Sequence, residues 1–358
     1  MKTLRLKVDA NNLETQEAWE ALERAAEILR GGGLVALPTE TVYGLGANAL
    51  DRAAVERIFA AKSRPAWDPV IVHVAPGTML DELVEGIPDA ARHLMEAFWP
   101  GPLTLLLKRT RAVPDAVTAG RPLVGVRIPS HPVALELIRR AGVPVAAPSA
   151  NRFGHVSPTT AEHVLDDLDG RIDAVLDAGP TLRGVESTVL DPSASPMVIY
   201  RPGAVTAEQI AEIAGPVEQF RSGETLLEKP REALPSPGVG LKHYAPRARL
   251  VLVEGPGDEP GEKLGARLAA AASVRRGERV GVMLPEGMMT PQEFEPARIY
   301  PWGRWDAPET LAHGLYAGLR ALDAAGCMVI LCPLPPAEGI GAAIRDRLLK
   351  AGTKSTRD

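Results

Sequence analysis

Residues Pro38–Arg64 read PTETVYGLGANALDRAAVERIFAAKSR, the most informative stretch of this chain. The apolar run before it, Leu34–Leu37, predicts a strand, and the apolar spacing of Ala53–Ala61 predicts a helix. Hydroxyl-bearing residues and glycines between them predict a small polar loop. The helix ends on Lys62 and Arg64, which suit a polyphosphate because both donate charged hydrogen bonds. The same two cations are also expected at the end of any helix, where the helix dipole favours them.

Composition indicates two aliphatic domains and disfavours nonspecific nucleic-acid binding. The chain has 358 residues, more than one domain usually contains. It is 45% hydrophobic but only 4% aromatic, so aliphatic packing must dominate its core. A net charge of −5 argues against binding nucleic acid as the main task. Locally, basic residues outnumber Asp115 between positions 101 and 130, which fits either an anionic small ligand or a solvated face: Lys108, Arg109, Arg111, Arg121 and Arg127.

Neither the cysteines nor the N-terminal residues point to secretion or to a membrane. Cys327 and Cys332 lie in one apolar run, CMVILC, so we expect buried, reduced thiols rather than a disulfide framework or a metal site. The first twelve residues alternate polar and apolar side chains, which predicts a first strand and not a signal peptide. No apolar stretch is long enough to span a bilayer. We therefore expect a cytoplasmic protein.

Alternating strand and helix patterns predict an α/β domain over residues 1–215. Two adjacent strand patterns, Thr188–Leu190 and Met197–Tyr200, have no helix between them, so an antiparallel pair and a mixed sheet are expected. Residues 216–248 are rich in proline and glycine and predict a linker. Residues 249–358 follow a β-α-β-α-β-α order, which predicts a smaller, parallel, Rossmann-like domain.

Four features have a functional and a structural interpretation. Arg127 lies between apolar residues of a predicted strand, and a buried charge needs a partner, either a protein carboxylate or a ligand carboxylate. His73 is expected to face a cleft or solvent, although a lone histidine in a strand is usually structural. Ser157 either caps the helix that begins near Thr159 or contacts a ligand. Gly339-x-Gly341 either cradles an anion or forms a turn that requires glycine.

Other nucleotide and metal motifs are weak or missing from the sequence. Gly44-x-Gly46-x-x-Ala49 superficially matches a dinucleotide fingerprint, but the strand ends at Pro38, too early for the tight turn of that motif. No Walker-type sequence, H-E-x-x-H motif or paired-cysteine motif occurs. Any phosphate site must therefore be built in another way.

Four motifs, in this order, resemble the threonylcarbamoyl-AMP synthase family. They are PTET-x-YGLG with K-x-R in Pro38–Arg64, APSAN in Ala147–Asn151, GVEST in Gly184–Thr188 and RPG in Arg201–Gly203. KHYAP, at Lys242–Pro246, is similar to the linker of the longer, two-domain members. The resemblance covers most of the chain. It implies a YrdC-like mixed twisted sheet with flanking helices, followed by the Rossmann-like domain.

The resemblance also implies roles for individual residues. Matching positions in the family contact L-threonine at Thr41, His73, Arg127, Ala147 and Ser187, and they contact ATP at Arg64, Asp68, Leu123, Ser149, Ser157, Arg201 and Tyr244. Many members carry Asn where Asp68 stands, so water or a metal ion is expected between Asp68 and phosphate. Leu123 has no polar side chain, so its contact must use the backbone. Lys62 and Arg64 would stabilise charge, and no residue would act covalently.

The implied reaction joins L-threonine, bicarbonate and ATP into threonylcarbamoyl-adenylate and releases pyrophosphate. Mg²⁺ would accompany ATP, and the protein alone would hold no metal. The product would pass to a separate transferase that modifies tRNA, with no membrane and no stable direct tRNA contact expected. Two alternatives are another carbamoyl-adenylate-forming enzyme, such as a hydrogenase-maturation carbamoyltransferase, and an RNA-binding or ribosome-maturation module. We further expect the segment around Tyr244 to cover the nucleotide.

Overall fold

The chain forms two compact units. The computed structural model describes residues 2–77, 79–220, 233–236, 238–239, 244–255, 261–275 and 277–352. The first unit comprises Met1–Phe153, Ser157–Leu182 and Glu186–Gly240, and the second comprises Gly154–Val156, Arg183–Val185 and Leu241–Asp358. Lys242 and His243 of the KHYAP motif, and most of the predicted linker, lie outside the described residues.

A mixed sheet forms the centre of the first unit. In its described part the sheet has 11 strands, in the order β1-β8-β2-β3-β7-β4-β6-β5-β9-β10-β11. The bounds are β1 Leu4–Lys7, β2 Val35–Leu37, β3 Gly44–Asn48, β4 Ile71–His73, β5 Leu103–Lys108, β6 Leu123–Arg127, β7 Val145–Ala146, β8 Ala174–Asp177, β9 Thr188–Asp191, β10 Met197–Arg201 and β11 Val217–Gln219.

The strand directions confirm the predicted mixed sheet. β9 and β10 pair antiparallel, as the absence of a helix between them predicts. β4 and β6 pair parallel, with His73 beside Arg127, while β7 runs antiparallel to β4. β11 extends the sheet beyond residue 215, since Val217 pairs with Met197 on β10.

Helices cover both faces of this sheet. They are α1 Gln16–Arg30, α2 Arg52–Lys62, α3 Met79–Leu83, α4 Asp89–Phe98, α5 Asp115–Thr118, α6 Pro132–Ala141, α7 Ala161–Leu168 and α8 Ala207–Ala214. Consecutive strand residues point to opposite faces. Val35 accordingly packs in one core cluster with Leu22 of α1, and Ala36 packs in a second with Ile58 of α2. With both faces covered, polar groups concentrate where strands end.

The capping of α7 settles one of the two interpretations of Ser157. The Thr160 side chain accepts a hydrogen bond from the backbone N–H of His163 and therefore caps this helix. Ser157 is buried and its hydroxyl donates to Glu186 Oε1 at 2.6 Å instead. The prediction that Ser157 caps the helix is wrong, because the helix begins at Ala161, too far along the chain.

The predicted glycine loop is partly wrong. Gly44 and Gly46 belong to strand β3, not to a loop. A Cβ on Gly46 would lie 2.9 Å from both Leu37 Cδ2 and Val145 Cγ1, closer than real contacts allow. Glycine is therefore required here for close packing between strands, which also explains why the dinucleotide fingerprint is spurious. The polar loop consists of residues 38–43 alone.

The second unit contains a parallel sheet in the order β12-β15-β13-β14. Its elements are β12 Arg249–Val253, α9 Gly261–Ser273, β13 Val280–Glu286, β14 Arg298–Arg304, α10 Pro308–Ala324, β15 Val329–Pro333 and α11 Ile340–Gly352. All its strand pairs are parallel, as the Rossmann-like prediction requires. β14 is an edge strand that the sequence pattern does not predict, because Pro301 and Gly303 interrupt it.

Two further expectations concern the cysteines and membrane spans. Cys327 and Cys332 are both free and buried, which confirms the predicted reduced thiols. Burial raises the pKa of the Cys332 thiol well above its ordinary value, so this cysteine is unreactive. Among the described residues, none of the helices combines the length and apolar character that crossing a bilayer requires.

Candidate active site

Several predicted site residues meet at one edge of the first unit's sheet. His73 and Arg127 are the last residues of parallel strands β4 and β6. β5 runs antiparallel to β6 and parallel to β9, so Ser187, just before β9, lies at the same edge. Arg201 ends β10 and pairs with Val189 near the start of β9. The topology thus brings together residues that are far apart in the sequence.

Arg127 is the centre of a buried hydrogen-bonded cluster. Its Nε donates to His73 Nε2 at 2.8 Å, and its Nη2 donates to Thr41 Oγ1 at 3.2 Å. Its Nη1 donates to Glu40 Oε1 at 2.9 Å, and the two side chains are only 4% and 3% exposed. Glu40 Oε2 also accepts from the Ser130 backbone N–H. The partner that a charged residue in this strand needs is therefore a protein carboxylate, Glu40.

A second cluster links Ser187 to Arg201. Arg201 Nε donates to the Ser187 carbonyl, and Nη2 donates to Ser187 Oγ, both at 3.0 Å. Ser187 Oγ also shares a hydrogen bond of 2.8 Å with Thr104 Oγ1. All three side chains are buried. A residue predicted to contact threonine and one predicted to contact ATP are therefore direct neighbours.

Lys62 and Arg64 point to different partners although they are close in sequence. Ser63 between them has a left-handed φ of 54°, so the chain turns sharply at the end of α2. Lys62 Nζ donates to the carbonyls of Ser149 and Asn151 and so holds the APSAN segment. Its role in stabilising charge on a ligand stays a prediction.

Arg64 bonds a different segment of the chain. Its Nε donates to the Asp68 carbonyl, and its Nη2 donates to the Pro69 carbonyl at 2.7 Å. Arg64 Nη2 also lies 3.0 Å from Asp68 Oδ1, in a pair whose side chains are 5% and 0% exposed. The Arg64–Asp68 pair is therefore a buried ion pair, so the two residues behave as one unit.

The remaining predicted residues lie on the same unit, with one exception. Ala147 is buried directly after β7, Leu123 is half-buried at the start of β6, and Ser149 is half-buried beyond Ala147. Tyr244 belongs to the second unit, where its ring stacks on Tyr316 with centroids 5.7 Å apart. The predicted contact of Tyr244 with the nucleotide stays a prediction.

Burial shifts the protonation of these groups. Burial, and secondly the charge of Arg64, hold the pKa of Lys62 well below its ordinary value. Burial raises the pKa of Asp68, and the cations Arg64, Lys62 and Arg201 oppose that effect. Burial and the neighbouring Arg127 charge lower the pKa of His73 well below 6.5. Neutral His73 accepts from Arg127 at Nε2, so its own proton lies on Nδ1.

The shift of His73 predicts how stability depends on pH. The unfolded chain protonates His73 near pH 6.5, whereas the folded protein protonates it only at lower pH. Stability is therefore lost as pH falls below about 6.5, by up to about 1.4 kcal/mol per pH unit. The variant His73→Gln should show a shallower loss when urea unfolding is compared between neutral and mildly acidic pH. The exposed His93→Gln is the control, and equal slopes in all three proteins would contradict the prediction.

Three buried polar residues of the site were not among the predicted site residues. They are Glu40 on Arg127, Thr104 on Ser187 and Glu186 on Ser157. Glu40 and Glu186 lie inside motifs of the resemblance, so an acid next to a predicted ligand-binding residue was a usable signal. Thr104 offers no such signal, because only the alignment of β5 with β9 brings it to Ser187.

The fold and this site define an α/β enzyme for small anionic substrates. Four basic side chains of the predicted site are buried: Lys62, Arg64, Arg127 and Arg201. Comparison with known proteins narrows that class. A family model described as "Telomere recombination" (Sua5, YciO and YrdC proteins) matches residues 27–203, and one described as "Threonylcarbamoyl-AMP synthase, C-terminal domain" matches residues 205–353.

Two curated relatives match nearly the whole chain. Threonylcarbamoyl-AMP synthase from Pyrococcus abyssi is 42% identical over 341 residues, which cover 95% of this chain and 96% of the relative. The enzyme of that name from Bacillus subtilis is 43% identical over 359 residues, 98% of each chain. The crystal structure of P. abyssi Sua5 complexed with L-threonine matches with a TM-score of 0.85 and 40% identity, covering 98% of both chains.

The chain belongs to the threonylcarbamoyl-AMP synthase family. It is therefore an enzyme of the nucleotidyltransferase type that forms an adenylate. The family and the YrdC-like fold predicted from the four motifs are both confirmed.

Proposed function

We propose that this enzyme condenses L-threonine, bicarbonate and ATP into threonylcarbamoyl-adenylate and pyrophosphate. The observation that carries this proposal is the buried Arg127 cluster, which lies at the same sheet edge as Arg201. One cationic centre suits an amino-acid carboxylate, and the others suit phosphate. The family relationship supports ATP and L-threonine as substrates.

The Arg127 cluster is the proposed threonine site. Arg127 would hold the substrate carboxylate through charge-assisted hydrogen bonds. Thr41 and His73 fix the guanidinium from two sides and would position the amino acid. Ala147 would leave room for the substrate, since its side chain is a single methyl group. Ser187 would contact the substrate at the side where Arg201 begins the nucleotide site.

The second group of residues is the proposed nucleotide site. Arg201 and Arg64 would offset phosphate charge. Leu123 would contribute only backbone. The hydroxyls of Ser149 and Ser157 would bond ribose or phosphate. For Lys62 we propose an indirect share, because its ammonium holds the carbonyls of the segment that carries Ser149. Tyr244 is the last residue that we propose to contact ATP.

The proposed mechanism relies on placement and fixed charge. The carbamate of threonine would attack the α-phosphorus of ATP through its oxygen, and pyrophosphate would leave. Arginines held rigid by buried hydrogen bonds need little reorganisation as charge develops on phosphate oxygens. No covalent enzyme intermediate is required. The attack needs the carbamate of the bound amino acid beside the α-phosphate, and the adjacency of Ser187 and Arg201 supports neighbouring sites for the two substrates.

Mg²⁺ is proposed to arrive with ATP. Within the described part of the chain no cluster of three or more His, Cys, Asp or Glu side chains suits a metal ion. Magnesium commonly binds through substrate phosphates plus one or two carboxylates, and Asp68 is the carboxylate beside Arg64. When bound, Mg²⁺ would neutralise phosphate charge. We therefore propose that Asp68 acts through the ion or a bridging water.

The proposal also covers the domain bounds, the cellular location and the partners of the enzyme. The catalytic domain would comprise residues 1–215, the linker 216–248 and the C-terminal domain 249–358. We place the reaction in the cytoplasm, and we propose that a separate transferase passes the product to tRNA. The enzyme itself would form no stable complex with tRNA, in keeping with its net charge of −5.

Pyrophosphate release tests the proposal. It should require ATP, L-threonine and bicarbonate together, and omission of any one should reduce the rate to background. Titration of the full chain with unmodified tRNA tests the RNA-binding alternative. Tight tRNA binding without threonine-dependent pyrophosphate release would favour an RNA-binding module and overturn the proposal. Pyrophosphate release that does not depend on threonine would favour another carbamoyl-adenylate-forming enzyme.

A further inference from the structure

Glu40 contacts the proposed threonine anchor but has no assigned role. Its Oε1 accepts from Arg127 Nη1 at 2.9 Å, and its side chain is 3% exposed. Its other oxygen accepts from the Ser130 backbone N–H at 3.2 Å. The carboxylate is therefore held in place from two sides beside the guanidinium that would receive the substrate.

Arg127 has hydrogen-bond donors left for one more carboxylate. A guanidinium carries five N–H groups. Nε uses its only one on His73, while Nη1 and Nη2 each use one, on Glu40 and on Thr41. One further N–H remains on each terminal nitrogen, and a carboxylate can accept two N–H groups of one guanidinium. The donor count therefore allows a substrate carboxylate on Arg127 while Glu40 stays in place.

That arrangement creates an electrostatic conflict. Two carboxylates on one buried guanidinium repel, and a proton taken up by one of them relieves that repulsion. The substrate also carries an ammonium group, one carbon away from its own carboxylate. This ammonium must lose a proton before its nitrogen can form a carbamate. One proton transfer, from the ammonium to Glu40, removes both problems.

We propose that Glu40 is the base that takes the proton of the threonine ammonium, an inference that rests on the proposed function. The N–H bond breaks, its electron pair stays on nitrogen, and an O–H bond forms on the Glu40 carboxylate. The charge of the site is unchanged overall, because the ammonium and one carboxylate are neutralised together. The free amine then attacks the carbon of bicarbonate: a C–N bond forms, a C–O bond breaks, and the departing hydroxide leaves as water with one proton of the amine, which gives the carbamate.

The neighbouring groups are poorly suited to the same task. His73 already accepts at Nε2 from Arg127, so its basic nitrogen is occupied. Lys62 Nζ donates to two carbonyls. His131 is close enough to interact with the Glu40 charge, but burial lowers the pKa of His131, so that histidine is neutral. Among the described residues, Glu40 is the carboxylate in direct contact with the anchor.

Infrared difference spectroscopy on the wild-type enzyme tests the transfer directly. Adding L-threonine should produce the carbonyl stretch of a protonated carboxylic acid, and Glu40→Gln should abolish that band. The matched ligand is 2,3-dihydroxybutyrate, which has the carboxylate but no ammonium proton to give, and it should produce no band. If calorimetry shows that the wild type binds threonine but the infrared band does not appear, the inference is overturned.

Kinetics give a second readout. Glu40→Gln keeps an acceptor for Arg127 but cannot take a proton, so pyrophosphate release at neutral pH should fall by about 100-fold or more. The loss in rate should be smaller at higher pH, because a larger fraction of the dissolved threonine then already carries a neutral amine. Glu40→Asp should recover part of the rate. A Glu40→Gln rate equal to wild type would count against the base. Failure of the wild type to bind threonine would instead defeat the proposed function itself.

Discussion

Arg127→Ala is expected to weaken L-threonine binding by roughly 10- to 150-fold. Hydrogen bonds to charged groups contribute about 1.5–3 kcal/mol, and each 1.4 kcal/mol is about tenfold in affinity. Titration calorimetry with L-threonine measures the change. ATP affinity should fall far less, because Arg64 and Arg201 remain. Unchanged threonine affinity would show that Arg127 is not the carboxylate anchor.

The same substitution is expected to destabilise the fold by about 3–5 kcal/mol, because removing one partner of a buried ion pair leaves the other charge uncompensated. That charge is Glu40, which is 3% exposed. The double variant Arg127→Ala/Glu40→Gln should recover much of the stability but none of the threonine binding. Arg52→Ala, which breaks an exposed pair with Glu56, is the control and should cost at most about 1 kcal/mol in urea unfolding.

The sequence predicts elements best where one local pattern decides them. The helix at Gln16–Arg30 is such a case, because its buried residues recur at helical spacing and Thr15 and Gly31 cap its two ends in the structure. Strand β14 cannot be predicted from its local pattern, since Pro301 and Gly303 are normally signs of a loop. Proline is tolerated there because an edge strand leaves one side of its backbone unpaired. The misplaced glycines of β3 likewise depend on neighbours that are distant in sequence.

The same distinction explains the site. Arg127 stands out in the sequence because a charge in an apolar strand needs a partner, and the two kinds of partner are foreseeable. The identity of that partner cannot be foreseen from the sequence. Glu40 lies 87 positions away from Arg127, and only the strand order brings the two residues together. Lys62 and Arg64 are close in sequence, and the left-handed turn at Ser63 gives them different hydrogen-bond partners. Their predicted shared role in stabilising ligand charge stays a prediction.

Arg64→Ala is expected to weaken ATP binding by about tenfold or more while leaving L-threonine affinity nearly unchanged. Arg64 donates to the carbonyls of Asp68 and Pro69, so its guanidinium is fixed before any ligand arrives. A preorganised cation loses little entropy on contacting phosphate, and one charge-assisted contact is worth about 1.5–3 kcal/mol. Calorimetric titration with a non-hydrolysable ATP analogue measures the loss. Normal nucleotide affinity combined with lost threonine binding would reverse the assignment.

Stability must be separated from binding in this variant. Arg64→Ala removes the cation nearest to Asp68, whose side chain is fully buried, and should destabilise the fold by about 3–5 kcal/mol. Asp68→Asn removes the charge that needs compensation, so the double variant Arg64→Ala/Asp68→Asn should regain stability. If Arg64 contacts phosphate itself, this double variant still binds ATP weakly. If Arg64 only holds Asp68 in place, Asp68→Asn alone should weaken ATP as much as the double variant does, and the direct role of Arg64 would fail.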